Sequence, residues 1–340
     1  MAGVLLVVVG TLAVAAVVVD TTLTALSLTG GAGPLTGRLG QGVWRVLCRL
    51  AGKGPRRHRV LRWTGPLVLL TTFLAWIAGL WLGWFLVFTA YPDAVLDPLN
   101  RPAGAWSRLY FAGFSIFTLG VGDYVPGTTA AQICTSLAVL SGLFLVTLGI
   151  TYLMQVVAAV VDKRTIAGHI AALGDDPVDI LRRAWTGQRF SSMFEQHLTS
   201  LTPEVVRTGE RHLAFPVLHY FHVGVAAKSA PVAVSVLDGA VLLLRHGVRA
   251  EDRPDPGAVG PLSRALQELV HTLEDTFIPP VESPLPAPKL TTLAQTGIPV
   301  GDEQAYAQAV ARAQRHRCRL RGWCASDGWN ERELRLAGTD

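Results

Sequence analysis

Acidic residues are missing from a long basic stretch of this chain. Residues 30–62 hold Arg38, Arg45, Arg49, Lys53, Arg56, Arg57, Arg59 and Arg62 but no Asp or Glu. Charge of either sign is absent from residues 66–90 and from residues 130–161. At ~1.5 Å per residue each run exceeds the ~20 residues that cross a hydrocarbon core, which excludes an ordinary soluble domain. No apolar segment contains Arg at every third position, which excludes voltage sensing by a charged helix. Cysteine is sparse, at positions 48, 134, 318 and 324, so a disulfide framework is excluded, and the spacing of the last two is not that of a zinc site. There is no dinucleotide fingerprint, phosphate-binding loop or Ser-, Cys- or Asp-centred catalytic pattern, so an enzyme is not expected. Lysine is rare, four against 26 Arg, and with abundant Ala, Gly and Pro this bias suits a GC-rich bacterial genome.

Basic residues are also missing before Arg38. The apolar stretch from Gly3 to about Leu28 therefore lacks the basic start of a cleaved signal and reads as a retained membrane helix. Asp20 interrupts it. With Thr21 and Thr22 it suits the headgroup zone; placed deeper, it needs a partner or a proton.

Between the two charge-free runs stands Thr118-Leu119-Gly120-Val121-Gly122-Asp123. A strand whose successive carbonyls all face one axis needs backbone angles that ordinary residues avoid, and Gly120 and Gly122 supply them. Thr118 adds a hydroxyl at one end, and Asp123 ends the run at water. Residues 105–117 are too short to span a bilayer and suit a half-length helix whose negative end faces a cation. The alternative is an ordinary external turn. Helix, short helix, Thr-Leu-Gly-Val-Gly-Asp-Tyr-Val-Pro, helix resembles the potassium-channel superfamily over residues 66–161. That resemblance implies an ion-conducting filter at Thr118, Leu119, Gly120, Val121, Gly122 and Asp123, potassium ions within it, and a homotetramer. It also implies a bending point in the inner helix, for which Gly142 and Gly149 are the candidates. Close helix packing is the other use of such glycines. The chain departs from the family where an aromatic usually supports the filter, here Val121, and where a second Thr usually precedes it, here Phe117. Both put strict selectivity in question.

Charge asymmetry sets an expected topology. Residues 92–129 carry only Arg101 and Arg108 against Asp93, Asp97 and Asp123. The basic stretch is then cytoplasmic, the N-terminus and filter mouth external, and residues 162–340 cytoplasmic. That last part holds 20 basic and 21 acidic residues, so the basic pI is no sign of nucleic acid. Residues 41–50 suit an interfacial helix, and Arg56, Arg57 and Arg59 suit anionic lipid headgroups.

The expected fold class is an all-α membrane protein, a pore-loop channel with an α-helical cytosolic domain. Its parts are an N-terminal helix (1–29), a basic loop (30–62), a pore domain (63–161), a helical domain (162–278), a Pro-rich linker (279–300) and C-terminal helices (301–340). Helix starts are expected at Asp175-Asp176-Pro177 and Leu201-Thr202-Pro203-Glu204. Residues 228–247 read as a core helix, residues 251–261 as a connection, and a helix should follow from Leu262 to Phe277. Six prolines predict an extended linker over residues 279–300. Residues 302–321 are expected to be helical, ending in Arg315, Arg317, Arg319 and Arg321, with Ser326 or Asp327 capping a last short helix. His212, His219 and His222 are candidate metal or proton ligands; the alternative is that the rings pack with Tyr220 and Phe221, Pro216 interrupting the helix. The expected function is passive potassium conduction, gated through the helical domain by a cytosolic ligand or partner. A weakly selective cation pore and a non-conducting receptor or scaffold are the alternatives.

Overall fold

Small and β-branched apolar residues run from Ala2 to Leu26 as one helix, α1. The computed structural model describes residues 1–26, 31–52, 56–276 and 281–329, without the side chains of residues 56 and 274–276. The lipid contact expected at the Arg56 side chain and a helix after Asp327 lie outside the described residues. The chain divides into two units, Met1–Val43 with Pro66–Val156, and Trp44–Gly65 with Val157–Asp340.

Asp20 organises the first unit. It is 1 % exposed, so it is buried against its neighbours and meets the sequence-based need for a partner. Helix α2 (Pro34–Ala51) opens with Pro at its first position, and its first backbone N–H groups have no partner of their own. Asp20 Oδ1 accepts from Leu35 N at 2.7 Å and Thr36 N at 3.3 Å. Its Oδ2 accepts from Thr36 Oγ1 at 2.6 Å and from Trp76 Nε1 at 2.8 Å. Every partner donates, which is how a buried carboxylate is satisfied, and the positive end of α2 adds to it. The amphipathic helix expected over residues 41–50 falls within α2.

A short helix α3 (Arg56–Leu61) precedes α4 (Thr64–Thr89), which carries Trp76. After α4 the chain makes β1 (Val95–Leu96), then α5 (Ala105–Ile116), then β2 (Val125–Pro126), which pairs antiparallel with β1. Arg108 holds this region together: its guanidinium donates to the carbonyls of Phe88, Tyr91, Pro92 and Ala103. One of these, Phe88 O, lies in the last turn of α4, where helix carbonyls lack an intrahelical N–H partner. Helix α6 runs unbroken from Thr129 to Leu173, longer than the expected 130–161, and includes Asp162, Lys163 and Arg164. The apolar core of this unit comprises Val17, Trp76, Trp84, Phe88, Phe111, Phe114, Ala138 and Leu145 with their neighbours.

The second unit is a helical bundle. Asp176 caps α7 (Pro177–Ala184), accepting from Val178 N and Asp179 N as its sequence predicts. Helix α8 (Ser192–Ala214) starts at Ser191, whose Oγ takes Phe194 N. The expected start at Pro203 is therefore wrong: that proline lies inside α8, where packing overrides the local breaker. Helix α9 (Ala230–Leu242) is almost wholly buried. Among the described residues, four stretches are long and apolar enough to cross a membrane, Ala2–Leu26, Arg57–Thr89, Thr129–Leu173 and Ala230–Gly247. The last has 78 % of its most apolar window inside the protein, as a core helix does. Helix α10 (Pro256–Thr276) packs along α8 and starts six residues before the expected Leu262, because Pro256 fits a first turn.

The expected linker is not free. It contains α11 (Leu290–Gln295), Leu285 is buried, and Val300 pairs with Val248. Its prolines leave carbonyls that other groups take: Arg317 donates to Leu285 O and Pro286 O, and Tyr306 to Pro288 O. Helices α12 (Glu303–Arg312) and α13 (Gln314–Ser326) follow, broken at Ala313. Asp327 ends α13 and caps no later helix among the described residues. Its carboxylate turns inward, accepting from His222 Nδ1 and Ser229 Oγ, both at 2.8 Å, with Lys163 Nζ at 3.8 Å.

Candidate functional site: the pore segment

Helix α5 ends in a turn that aims the segment after it. Thr118 N donates to Ser115 O at 3.1 Å and Leu119 N to Phe114 O at 2.9 Å, a Schellman closure with Thr118 at its left-handed position. Thr118 has φ +56°, a conformation that a β-branched residue rarely takes and that costs about 1–3 kcal/mol. Gly120 follows at φ +59° and Gly122 at φ +83°. Every second residue from 118 to 122 is thus left-handed, as the glycine argument expects for two of the three.

All six residues from Thr118 to Asp123 are exposed in the single chain. Leu119 is 67 % exposed and Val121 54 %, which is a high exposure for apolar side chains on a structured segment. Behind the segment the support is aromatic. Trp81 Nε1 donates to Leu109 O of α5 at 2.7 Å, and its ring meets Phe117 edge-on at 5.9 Å. Just after Asp123, Tyr124 Oη accepts from Ser107 Oγ at 3.0 Å and its ring packs against Tyr110. The chain has no aromatic at position 121, and Tyr124 provides an anchor to α5 three residues later. Trp84 Nε1 reaches Ser141 Oγ of α6 at 2.9 Å. Sequence reasoning passed over these indoles and Arg108. The available signal was that a buried Trp or Arg needs a polar partner.

Gly142 and Gly149 lie where α6 meets close neighbours. A Cβ on Gly142 would fall on the Ile116 carbonyl at the end of α5, and one on Gly149 would meet the Phe73 ring. Close approach accounts for both residues.

The three histidines do not come together. His212 lies in α8, its Nδ1 on Thr208 O at 2.8 Å and its ring edge-on to Trp323. His219 lies in a 3₁₀ turn over Pro216–Tyr220 that follows α8, and His222 comes after that turn. His222 stacks on Trp44 at 5.0 Å and holds Asp327, while His219 packs by Trp44 and Tyr220. No set of three His, Cys, Asp or Glu that would hold a metal occurs among the described residues, so the ligand expectation gives way to packing. Burial, then the Lys163 charge, pushes His212 down to about 3 and His219 down to about 4.

A family profile described as an ion channel matches residues 71–159, the stretch that holds α5, the segment Thr118–Asp123 and most of α6. The "Uncharacterized membrane protein YdjJ" of Bacillus subtilis (strain 168) is 31 % identical over 314 residues, covering 92 % of this chain and 91 % of the relative. No solved structure matches the chain. With that identity and coverage, and with the channel profile falling on the pore segment, the chain belongs to the family of the membrane protein YdjJ and carries an ion-channel domain.

Proposed function

We propose that the protein is a potassium channel in which four copies bring residues 118–123 together around one axis. The observation that carries this is the left-handed backbone at Thr118, Gly120 and Gly122 within a fully exposed segment. In an extended strand successive carbonyls point to opposite sides. Reversing the handedness at alternate residues turns them to the same side, where they replace the water around a cation. One chain supplies one such segment, so a closed ring needs symmetric copies. Asp123 then lies at the outer mouth, and residues 30–62 and 162–340 on the cytoplasmic side, as the distribution of Arg and Lys favours. The unbroken α6 continues into the helical unit from Val157, a direct route by which that unit sets gating.

A second reading, a weakly selective cation pore, is favoured by Val121, whose side chain gives the filter no aromatic brace. Potassium and sodium flux from proteoliposomes tests both. Gly120→Ala and Gly122→Ala each abolish flux, because an added Cβ disfavours φ near +60° to +80°. Unchanged flux in both variants removes the filter assignment. Val121→Tyr raises the potassium-to-sodium ratio where the valine loosens the filter. Equal permeation of both ions by the unmodified protein selects the second reading, and intact tetramers without flux select a scaffold.

A further inference from the structure

The basic residues of α12 and α13 divide between two tasks. Arg317 is buried, held by the Leu285 and Pro286 carbonyls and 3.6 Å from Asp238. Arg321 reaches Ser283. Arg312, Arg315 and Arg319 line a cavity of about 430 Å³. Their spacing, three then four residues, puts them along one side of the α12–α13 corner.

Two other elements face them. Helix α10 contributes Ser263 and Gln267, four residues apart. The end of α9 contributes Arg245 and His246 from a π-helical turn over Leu243–Gly247, closed by Val248 N on Leu243 O at 2.9 Å. Such wide turns re-aim the side chains they carry and recur at functional sites. Arg245 Nη1 donates to Ser263 Oγ at 2.6 Å, fixing one wall to the other.

Among the described residues, the cavity lining has four guanidinium groups and two carboxylates, Asp238 and Glu268. Asp238 is already engaged by His316 at 2.8 Å and by Arg317. The positive field is felt by His246, which is lowered by burial first and then by Arg245, Arg253 and Arg312. A solvated basic face would spread its charges; here three elements turn them into one concavity, where fields add. The planar fork of Arg matches phosphate oxygens two at a time. Ser263 and Gln267 add neutral donors, and the volume is that of small-molecule sites, about 300–1,000 Å³.

We propose that this cavity binds a small phosphate-bearing anion. Its source is either a soluble phosphorylated metabolite or the headgroup of an anionic lipid. The test uses the full-length protein in neutral detergent, titrated with inorganic pyrophosphate by calorimetry and thermal melting. The unmodified protein binds, and added salt weakens the binding. The exposed pair Arg312→Ala/Arg315→Ala, and separately Arg245→Ala, each weaken it at least tenfold. Should the double variant fail to fold, Arg245→Ala alone decides. Dihexanoyl phosphatidate that displaces pyrophosphate from the unmodified protein, and does so less well from the variants, assigns the site to a lipid headgroup. Pyrophosphate loss in the variants without displacement by the lipid assigns it to a soluble ligand. No binding of pyrophosphate at millimolar concentration, or equal binding to the unmodified protein and a folded variant, overturns the proposal.

Discussion

Asp20 shows how much one residue decides in the first unit. Its two oxygens take donors from α2 and α4 while it sits on α1, so one carboxylate fixes three helices. Replacing it by Ala leaves the Trp76 indole N–H, the Thr36 hydroxyl and two helix-start amides without their acceptor. Each buried unsatisfied group costs about 1–3 kcal/mol. The protein should lose at least ~2 kcal/mol, seen as a lower melting temperature in detergent. Asp20→Asn keeps the shape but turns an NH₂ toward donors, and should recover only part of the loss. The sequence showed the carboxylate and the need for a partner. The partners themselves lie at Thr36 and Trp76, 16 and 56 positions away. No local pattern links such distant positions, so the sequence names the need for a partner and not the partners.

Among the elements, α5 is the one that the sequence describes best. Its length, its half-span character and the glycines after it all stand in the residues from Ala105 to Asp123, and the helix ends within a residue of expectation. The helical domain was legible at Asp176, where the cap is local, and illegible at Pro203, where α8 continues because α10 packs along it. The Pro-rich stretch misled for a related reason. Prolines predict extended backbone correctly, but whether extended backbone is free or docked depends on donors such as Arg317 and Tyr306 that come later in the chain. The contact between α5 and α6 gives a prediction at this scale. Gly142→Ala places a methyl on the Ile116 carbonyl and forces the two helices apart. Overpacking of this kind costs about 1–3 kcal/mol. Melting should fall by that amount and potassium flux should drop, whereas Gly168→Ala, with open space at its Cβ, should leave both unchanged.

For the molecule as a whole, two measurements are expected to be informative. His212 and His219 are held neutral by burial, with values near 3 and 4 against 6.5 when unfolded. As pH falls below 6.5 the unfolded chain takes up protons that the folded one refuses, so stability is lost from about 6.5 down toward 4 and 3 and is fully present above 6.5. Melting of the full-length protein between pH 7.5 and 5 should show this decline. His212→Phe keeps an aromatic ring against Trp323 and removes one titrating group, and should flatten the slope; an unchanged slope would mean that other groups govern acid sensitivity. Topology is the second measurement. Reporters near Lys53 and after Asp340 should lie on one side of the membrane and a reporter near Asp97 on the other. Finding the Asp97 and Asp340 reporters together would rule out three spans.

The pairing of Lys163 with Asp327, which also holds His222, bears on how the chain is made. During synthesis the helices up to α6 emerge first, and domains close as their residues become available. Lys163 cannot be neutralised until Asp327, 164 positions later, has left the ribosome, so closure of the helical unit waits for α13. A transcript cut a few codons short of Asp327 would yield a bundle with a buried, uncompensated ammonium at its centre. Such a product should be degraded faster than one that stops after α6 and never begins the bundle.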